Sequence, residues 1–543
     1  MTMQQTPLLM HQLMDRGAAL QPDVEVVTAT TDGVRRQTMA ETRDRAHQLA
    51  HALKESGIKE GDRVATFMWN GSRHLEAYHA IACMGAVVHT LNIRLAPDDL
   101  EYIIDHARDR IIIVDADLLP ALEKLAGRMP SVERIIVATE PGLEGWSTTL
   151  PNAMDYEDFI RGKPNRYDWP QLDENAPMGL CYTSGTTGKP KGVMYTHRSN
   201  YLHTIAICMT DVMNLSATDT VCGIVPMFHA NAWGLPWAAT MLGMKQVFPH
   251  RFMVPDRLAE MMISENVTIS AGVPTIWQGV KGLLEANPGK YNFKTLERLT
   301  CGGSAPPPSL ISWFWDELGV EMVQGWGMTE TSPLATISRR TGKRKHLDTP
   351  DDQRAENQAK AGLPIPGVEL EIFDENFKPL PHDGEAFGEL LIRGPWVCSE
   401  YYQNPQPDKF HNGWLITGDV AKIDREGYLI ITDRSKDLIK SGGEWISSVD
   451  LENHIAGMDG IAQACVVAQP HPQWDERPVA MVVLKEGAEV SKEQVLEHCA
   501  NKFAKWQLPD DVLFAKSIPL TATGKMDKKV VRAKLEMDGY TLA

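Results

Sequence analysis

The sequence predicts a doubly wound α/β protein, with a β-rich segment and a smaller α+β unit behind it. Three observations predict this. Helix-like and strand-like segments alternate through the first half of the chain. Several strand-like segments are continuous apolar runs, as parallel strands covered on both faces require. After about Thr341 the pattern changes to short strands separated by Gly, Pro and Asn, which suits a small β-barrel or β-subdomain. With 543 residues, and roughly 150 per domain as a prior, the chain holds several folding units.

The elements follow in order. Thr38-Met-Ala-Glu41 has capping-box spacing, Ala46, Leu49, Ala50 and Leu53 repeat on one helical face, and Gly57 can stop that helix. Arg63 to Met68 reads as a strand, a helix then ends near Gly85, and Ala86 to Leu91 is the next strand. Ile111 to Asp115 and Arg134 to Ala138 are apolar parallel strands, with further strands at Lys245 to Phe248, Val267 to Ser270 and Glu321 to Gln324. Gly388 to Gly394 and Tyr428 to Thr432 are strands of the β-rich segment. A charged connector, Asp433-Arg-Ser-Lys-Asp437, separates residues 1–433 from residues 434–543, where Ala464 to Ala468 and Val479 to Leu484 are the clearest strands.

Composition narrows the function. A net charge of −17 leaves no basic surplus for a nucleic-acid backbone, so nucleic-acid binding is not expected. The eight cysteines sit at no metal-ligand or CxxC spacing and read as reduced, mostly buried thiols rather than nucleophiles. The amino terminus shows no signal-peptide pattern, and the most apolar stretch, Pro226 to Met244, is too polar and broken for a membrane span. A cytoplasmic location is the expectation.

The strongest local signal is Thr183-Ser184-Gly185-Thr186-Thr187-Gly188-Lys189-Pro190-Lys191-Gly192. Glycines, hydroxyls and two lysines at a strand end make a loop that can wrap a polyphosphate. It is not a Walker A loop, because Gly185 and Gly188 are too close and Pro190 stands where that motif has its magnesium-binding hydroxyl. Cys301-Gly302-Gly303-Ser304 and Gln324-Gly325-Trp326-Gly327-Met328-Thr329-Glu330 are Gly-rich turns at later strand ends, where open α/β sheets bind ligands. Trp326 can stack on a planar base and Thr329 and Glu330 can offer oxygens to magnesium, although a glycine-flanked tryptophan alone is more often a packed turn. Asp419, in Thr417-Gly-Asp419, can accept both hydroxyls of a ribose, but in isolation a surface turn is the better reading. Lys525 lies in a loop near the far end of the chain, where a lone lysine is ordinarily just solvated.

Taken together, and in this order and spacing, the Thr183 to Gly192 segment, Trp326 to Glu330, Thr417 to Asp419, Asp433 to Leu438, Ser441-Gly442-Gly443-Glu444 and Gly524-Lys525 resemble the acyl-adenylate-forming superfamily. That superfamily holds acyl-CoA synthetases, luciferases and peptide-synthetase adenylation domains. The resemblance spans essentially the whole chain. It implies a large N-terminal domain with two sheet subdomains and a small β-barrel, and a mobile C-terminal lid. It is closest to medium-chain fatty acyl-CoA ligases and 3-methylmercaptopropionate-CoA ligases, on Pro226 to Gly234 and Ser441 to Glu452. Many members carry Tyr where this chain has Trp326.

The resemblance also implies roles. An ATP-dependent ligase would join a short-to-medium carboxylic acid, 3-methylmercaptopropionate first among them, to coenzyme A through an acyl-AMP. Lys525 would bridge the acid and the α-phosphate, the Thr183–Lys191 loop would hold the β- and γ-phosphates, and Glu330 with Thr186 would bind Mg²⁺. Arg434 would join the nucleotide site, and Lys436, with Asp437 beside it, would be the hinge of the lid. Lys440, Gly442, Gly443, Glu444 and Trp445 would line the path of CoA. His229, Trp233, Trp237 and Trp277 are candidates for the acyl pocket, or equally for core. A homodimer is expected by family analogy. The alternatives are a general medium- or long-chain fatty acyl-CoA synthetase and, of another class, an enzyme that loads an amino acid onto a carrier protein. For the latter, Phe228-His229 stands where an acidic residue would hold the amine.

Overall fold

A computed structural model describes residues 3–139, 145–183, 189–434, 437–441, 444–521 and 526–540, with the side chains of Asp352, Glu444 and Trp445 excepted. Two mainly parallel sheets form the body. One has seven strands, in the order Ala153–Asp155, Arg134–Ala138, Ile111–Asp115, Arg63–Phe67, Val87–Thr90, Pro177–Thr183 and Lys191–Thr196. The other has nine and runs from Leu363–Pro364 through Leu334–Ser338, Glu321–Gly327, Arg298–Gly302, Ile269–Gly272, Thr220–Cys222, Lys245–Phe248 and Glu25–Thr30 to Gly33–Thr38. The expected strands appear, some longer than expected: Glu321 to Gln324 extends to Gly327, Ala464 to Ala468 becomes Ile461–His471, Val479 to Leu484 starts at Asp475, and Val267 to Ser270 is shifted to Ile269–Gly272.

Local chemistry explains the helices. Helix Met39–Glu55 starts on the expected capping box: the Thr38 hydroxyl accepts from the Glu41 N–H (3.1 Å), and the Glu41 carboxylate accepts from the Thr38 N–H (2.6 Å). Burial then places the helices between and outside the sheets. The faces of the nine-stranded sheet belong to different clusters, with Val323, Ile269 and Ala271 in one and Met322, Leu299 and Cys301 in the other. The strict alternation of side chains along a strand produces this split.

The β-rich segment is an antiparallel half-barrel of Glu369–Phe373, Phe387–Arg393, Phe410–His411, Trp414–Ile423 and Leu429–Arg434. Its long strand Trp414–Ile423 pairs with Phe387–Arg393 along one edge, and with Phe410–His411 and Leu429–Arg434 along the other. A separate C-terminal sheet follows, made of Ile439–Ser441, Glu444–Ile446, Ile461–His471, Asp475–Leu484 and Asp511–Phe514. It carries helices Ser448–Ala456, Lys492–Ala500 and Lys528–Met537 and its own apolar cluster around Ile439, Leu451, Val466 and Val482. Among the described residues, no helix is long and apolar enough to cross a membrane.

Candidate active site

The Gly-rich loop joins two antiparallel strands: Thr183 pairs with Lys191, so Pro177–Thr183 and Lys191–Thr196 form a hairpin with the loop at its tip. Ser184, Gly185, Thr186, Thr187 and Gly188 lie outside the described residues. The cations flanking them are placed by aromatic rings. Lys189 Nζ lies 4.5 Å from the centroid of Tyr102, and Lys191 Nζ lies 5.1 Å from that of Tyr401 and donates to the Gln406 side chain. Tyr401 in turn donates to Glu330 (2.8 Å), so the hairpin lysine and the buried carboxylate share one tyrosine.

Glu330 is 6% exposed, and burial pushes its carboxyl above the usual range against the pull of Tyr401, Arg434 and Lys191. Lys191 is pulled down by burial and by Lys409. A buried acid beside a partly desolvated lysine is a site where bound charge counts for more than in water.

Asp419 is no surface turn. It is 3% exposed on the long half-barrel strand, directly opposite Arg434. One oxygen accepts from the Trp326 indole N–H (3.0 Å) and the other pairs with Arg434 Nε (2.7 Å). Three sequence-distant candidates thus meet in one cluster. Next to it, Gly302 and Gly325 are register partners on neighbouring strands. A Cβ on Gly327 would lie 1.8 Å from the Pro333 carbonyl oxygen, so no side chain fits there. The Thr329 carbonyl accepts from Tyr195 (2.8 Å), Gly303 and Ser304 are exposed, and the Gln324 amide faces the backbone carbonyls of Ala359 and Lys360 instead of the cleft.

The tryptophans of the expected acyl pocket divide. Ala230, Asn231, Ala232, Trp233 and Gly234 have φ of 41°, 53°, 50°, 58° and 81°, a run of left-handed backbone directly after His229. Each non-glycine residue in such a turn costs about 1–2 kcal/mol. The turn seats the Trp233 ring against Gly302, where a Cβ would meet the ring at 3.0 Å. Asn231 helps hold it, accepting from Tyr78 (3.3 Å). Trp237 is fully buried and stacks on Tyr78 at 4.9 Å. Trp277 is fully buried under Gly272, which points the same way as its partner Cys301 and so away from Gly302. The sheet itself therefore lies between Trp277 and Trp233, and the three tryptophans do not form one wall.

The C-terminal candidates are more scattered. Asp437 is buried and pairs with Arg532 (2.8 Å), while Lys440 is exposed, its N–H donating to Glu476 (2.9 Å). Glu444 and Trp445 lie on the second strand of a hairpin with Ile439–Ser441. Lys436, Gly442, Gly443 and Lys525 fall outside the described residues. Sequence reasoning missed Tyr401, Tyr195 and Tyr102. Nothing in their local spacing marks them: Tyr102 comes from helix Pro97–Ala107, Tyr195 from the return strand of the hairpin and Tyr401 from a loop.

The cysteines are all free thiols, and burial pushes them up, Cys222 to about 12, which suits packing rather than nucleophilic chemistry. One group among the described residues has metal-ligand spacing: Asp15, His47 and His79. The Tyr167 N–H donates to His47 Nδ1 (2.7 Å), so the neutral ring carries its proton on Nε2, toward Asp15 at 3.2 Å. A metal there would need that proton removed, so the group is a hydrogen-bonded clamp.

A two-sheet body, a half-barrel and a separate C-terminal sheet, with Gly-rich strand ends beside the Trp326–Asp419–Arg434 cluster, are the arrangement of an α/β enzyme of the nucleotide-using kind. The AMP-binding enzyme family model matches residues 14–402 and the AMP-binding enzyme C-terminal domain model matches residues 450–525, so the chain belongs to the AMP-binding enzyme family. It is an acid–thiol ligase of the AMP-forming acyl-CoA synthetase type. A 3-methylmercaptopropionyl-CoA ligase of Ruegeria lacuscaerulensis is 42% identical, over 97% of this chain and 97% of that protein. A long-chain-fatty-acid–CoA ligase of Thermus thermophilus is 44% identical over 98% and 96%, and a medium-chain-fatty-acid–CoA ligase of Ectopseudomonas oleovorans is 40% identical over 98% and 97%. The solved anthranilate CoA ligase AuaEII in complex with anthranoyl-AMP shares the fold, with a TM-score of 0.87 at 24% identity over 99% of both chains.

Proposed function

We propose that this ligase acts on short-to-medium-chain acids, with 3-methylmercaptopropionate as its preferred acid. The observation that carries the reading is Trp233, seated on Gly302 by a strained turn beside the Trp326–Asp419–Arg434 cluster. A large ring held there shortens the space open to an acyl chain. The relatives that act on 3-methylmercaptopropionate and on medium-chain fatty acids support it.

In this reading the acid's oxygen attacks the α-phosphorus of ATP and pyrophosphate leaves. Two anions meet, so neutralising charge dominates the barrier. Lys525 supplies it at the reacting centre, and the Thr183–Lys191 loop holds the departing phosphates. Arg434 and Asp419 hold the ribose, with Trp326 orienting the carboxylate. Glu330 and Thr186 would hold Mg²⁺, and burial, which disfavours the charged Glu330 carboxylate, makes it a group whose charged form gains from a divalent cation. That ion would offset phosphate charge. In the second step the CoA sulfur attacks the acyl carbonyl and AMP leaves, with the 440–445 hairpin along the pantetheine path. The body, residues 1–433, and the lid, residues 434–543, reorient between the steps about Lys436. Arg434 is anchored to Asp419 in the body and Asp437 to Arg532 in the lid, which supports a pivot between them. A cytoplasmic homodimer completes the proposal, by analogy.

The test is AMP formation with CoA across a panel of acids that includes 3-methylmercaptopropionate, butyrate, octanoate and palmitate. Fastest turnover on 3-methylmercaptopropionate or butyrate is expected. Fastest turnover on palmitate would favour the second reading, a general fatty acyl-CoA synthetase, for which the Thermus relative speaks.

A further inference from the structure

A buried charge network joins the last strand of the half-barrel to the C-terminal unit. Asp433 sits at the end of Leu429–Arg434 and is 1% exposed. Its Oδ2 accepts from the Ser448 N–H at 2.8 Å, at the start of helix Ser448–Ala456, and from the Ser448 hydroxyl. Lys528 Nζ donates to that same hydroxyl and lies 2.9 Å from Glu452 Oε1. Side-chain exposure of Lys528 and Glu452 is only 12% and 7%. Glu452 is also held by the Val466 N–H (2.7 Å), inside the C-terminal unit. One ammonium thus serves two buried carboxylates, Glu452 directly and Asp433 through the Ser448 hydroxyl, one on each side of the proposed pivot.

The asymmetry matters. Lys528, Ser448 and Glu452 all belong to the C-terminal unit and stay together wherever it goes, whereas Asp433, on strand Leu429–Arg434, precedes the proposed pivot at Lys436. Burial pushes both carboxyls up, and Lys528 opposes this in each. Burying a second anion beside a single cation is costly unless hydrogen bonds compensate, and the Ser448 N–H and hydroxyl provide them. If the unit rotates, the Lys528–Glu452 pair stays neutral while Asp433 returns to water.

We infer that Asp433, Ser448, Lys528 and Glu452 form a lock that sets the balance between the two poses of the lid, with Lys528 as a positioning residue shared by competing carboxylates. The inference rests on the two-step lid reading given above. It has a signed consequence. Asp433→Asn weakens the lock and populates the other pose. Glu452→Gln leaves Asp433 as the only counter-ion for Lys528, tightens the lock and favours the observed pose.

The experiment measures both half-reactions on purified full-length protein: pyrophosphate release without CoA, and thioester formation from acyl-AMP with CoA. The ratio of the two rates is expected to move by roughly tenfold in opposite directions for Asp433→Asn and Glu452→Gln, a displacement of ~1.4 kcal/mol each way. Lys528→Arg should keep the wild-type ratio, with all melting temperatures close to wild type as a control for folding. Parallel loss of both half-reactions in both variants, or no change in either ratio, would overturn the lock. Absence of thioester formation by the wild-type protein with every acid would instead sink the ligase reading itself.

Discussion

Asp419 shows what a single residue contributes once its neighbours are known. Its two oxygens are taken by an indole and a guanidinium from segments 93 and 15 residues away in sequence. Trp326→Phe keeps the ring and removes the N–H, and a hydrogen bond to a charged group is worth ~1.5–3 kcal/mol. The expected result is a rise of about tenfold or more in KM for ATP, accompanied by a modest fall in melting temperature from the lost buried hydrogen bond. An unaltered KM would mean that the indole merely fills space. Lys525 belongs to the same scale. A unit charge ~4 Å from the reacting phosphate is worth ~4 kcal/mol at an effective dielectric of ~20, before any desolvation cost. Lys525→Ala is therefore expected to lower pyrophosphate release by at least ~10²-fold while leaving folding intact. Near-normal release would remove Lys525 from the role.

At the level of elements, the site is assembled from strand ends whose glycines are there for space. Gly327 passes the Pro333 carbonyl so closely that an added methyl group would overlap it at 1.8 Å. Gly327→Ala must push strand Glu321–Gly327 away from its neighbour Leu334–Ser338, at a cost of about 1–3 kcal/mol. A lower melting temperature with weakened ATP binding is expected, and a variant that melts and binds as wild type would contradict the packing argument. The elements were legible where periodicity and capping carry information. Thr38 and Glu41 announce their helix, and Ile111 to Asp115 reads as a parallel strand from its run of apolar residues. The hairpin return at Lys191–Thr196 was not legible, because a Gly-rich loop predicts a turn but not the direction of the chain beyond it. Nor was the left-handed turn at 230–234, since only Asn231 and Gly234 there are residues that favour such backbone.

Across the whole molecule, distant helices are tied by the Asp15 clamp, which links helix Met10–Leu20 to His47, His79 and Trp169. Burial alone would raise the Asp15 carboxyl, but the N–H groups of His47, His79 and Trp169 outweigh it and hold the group well below the usual carboxylate range. A depressed folded value means that its stabilisation is present above the unfolded pKa of ~3.9 and is lost as pH falls through the folded one. Asp15→Asn is expected to lower the melting temperature at pH 7, with the deficit narrowing in strong acid. Thermal unfolding at both pH values would check this, and a constant deficit would argue against a charge effect. The proposed lid motion belongs to the same scale. Lys436→Pro restricts the backbone between the Arg434–Asp419 and Asp437–Arg532 anchors, and should impair thioester formation more than adenylation. Equal loss of both half-reactions would count against a hinge there.

By itself the sequence determined the class: alternating amphipathic segments dictate layered α/β structure, and a handful of Gly-rich strand ends with fixed chemistry mark a nucleotide-activating ligase. Each of those signals is a few residues long, and their order and spacing along the chain carry the resemblance, which is why they can be read without coordinates. Only the tertiary structure decided which side chains share a site. It buried Asp419 against Trp326 and Arg434, placed Trp277 behind the sheet from Trp233, brought Tyr401 to Glu330, and set Lys528 between two carboxylates. Such meetings depend on strand register and on which face a residue occupies, and a shift of one residue reverses the face without changing the composition.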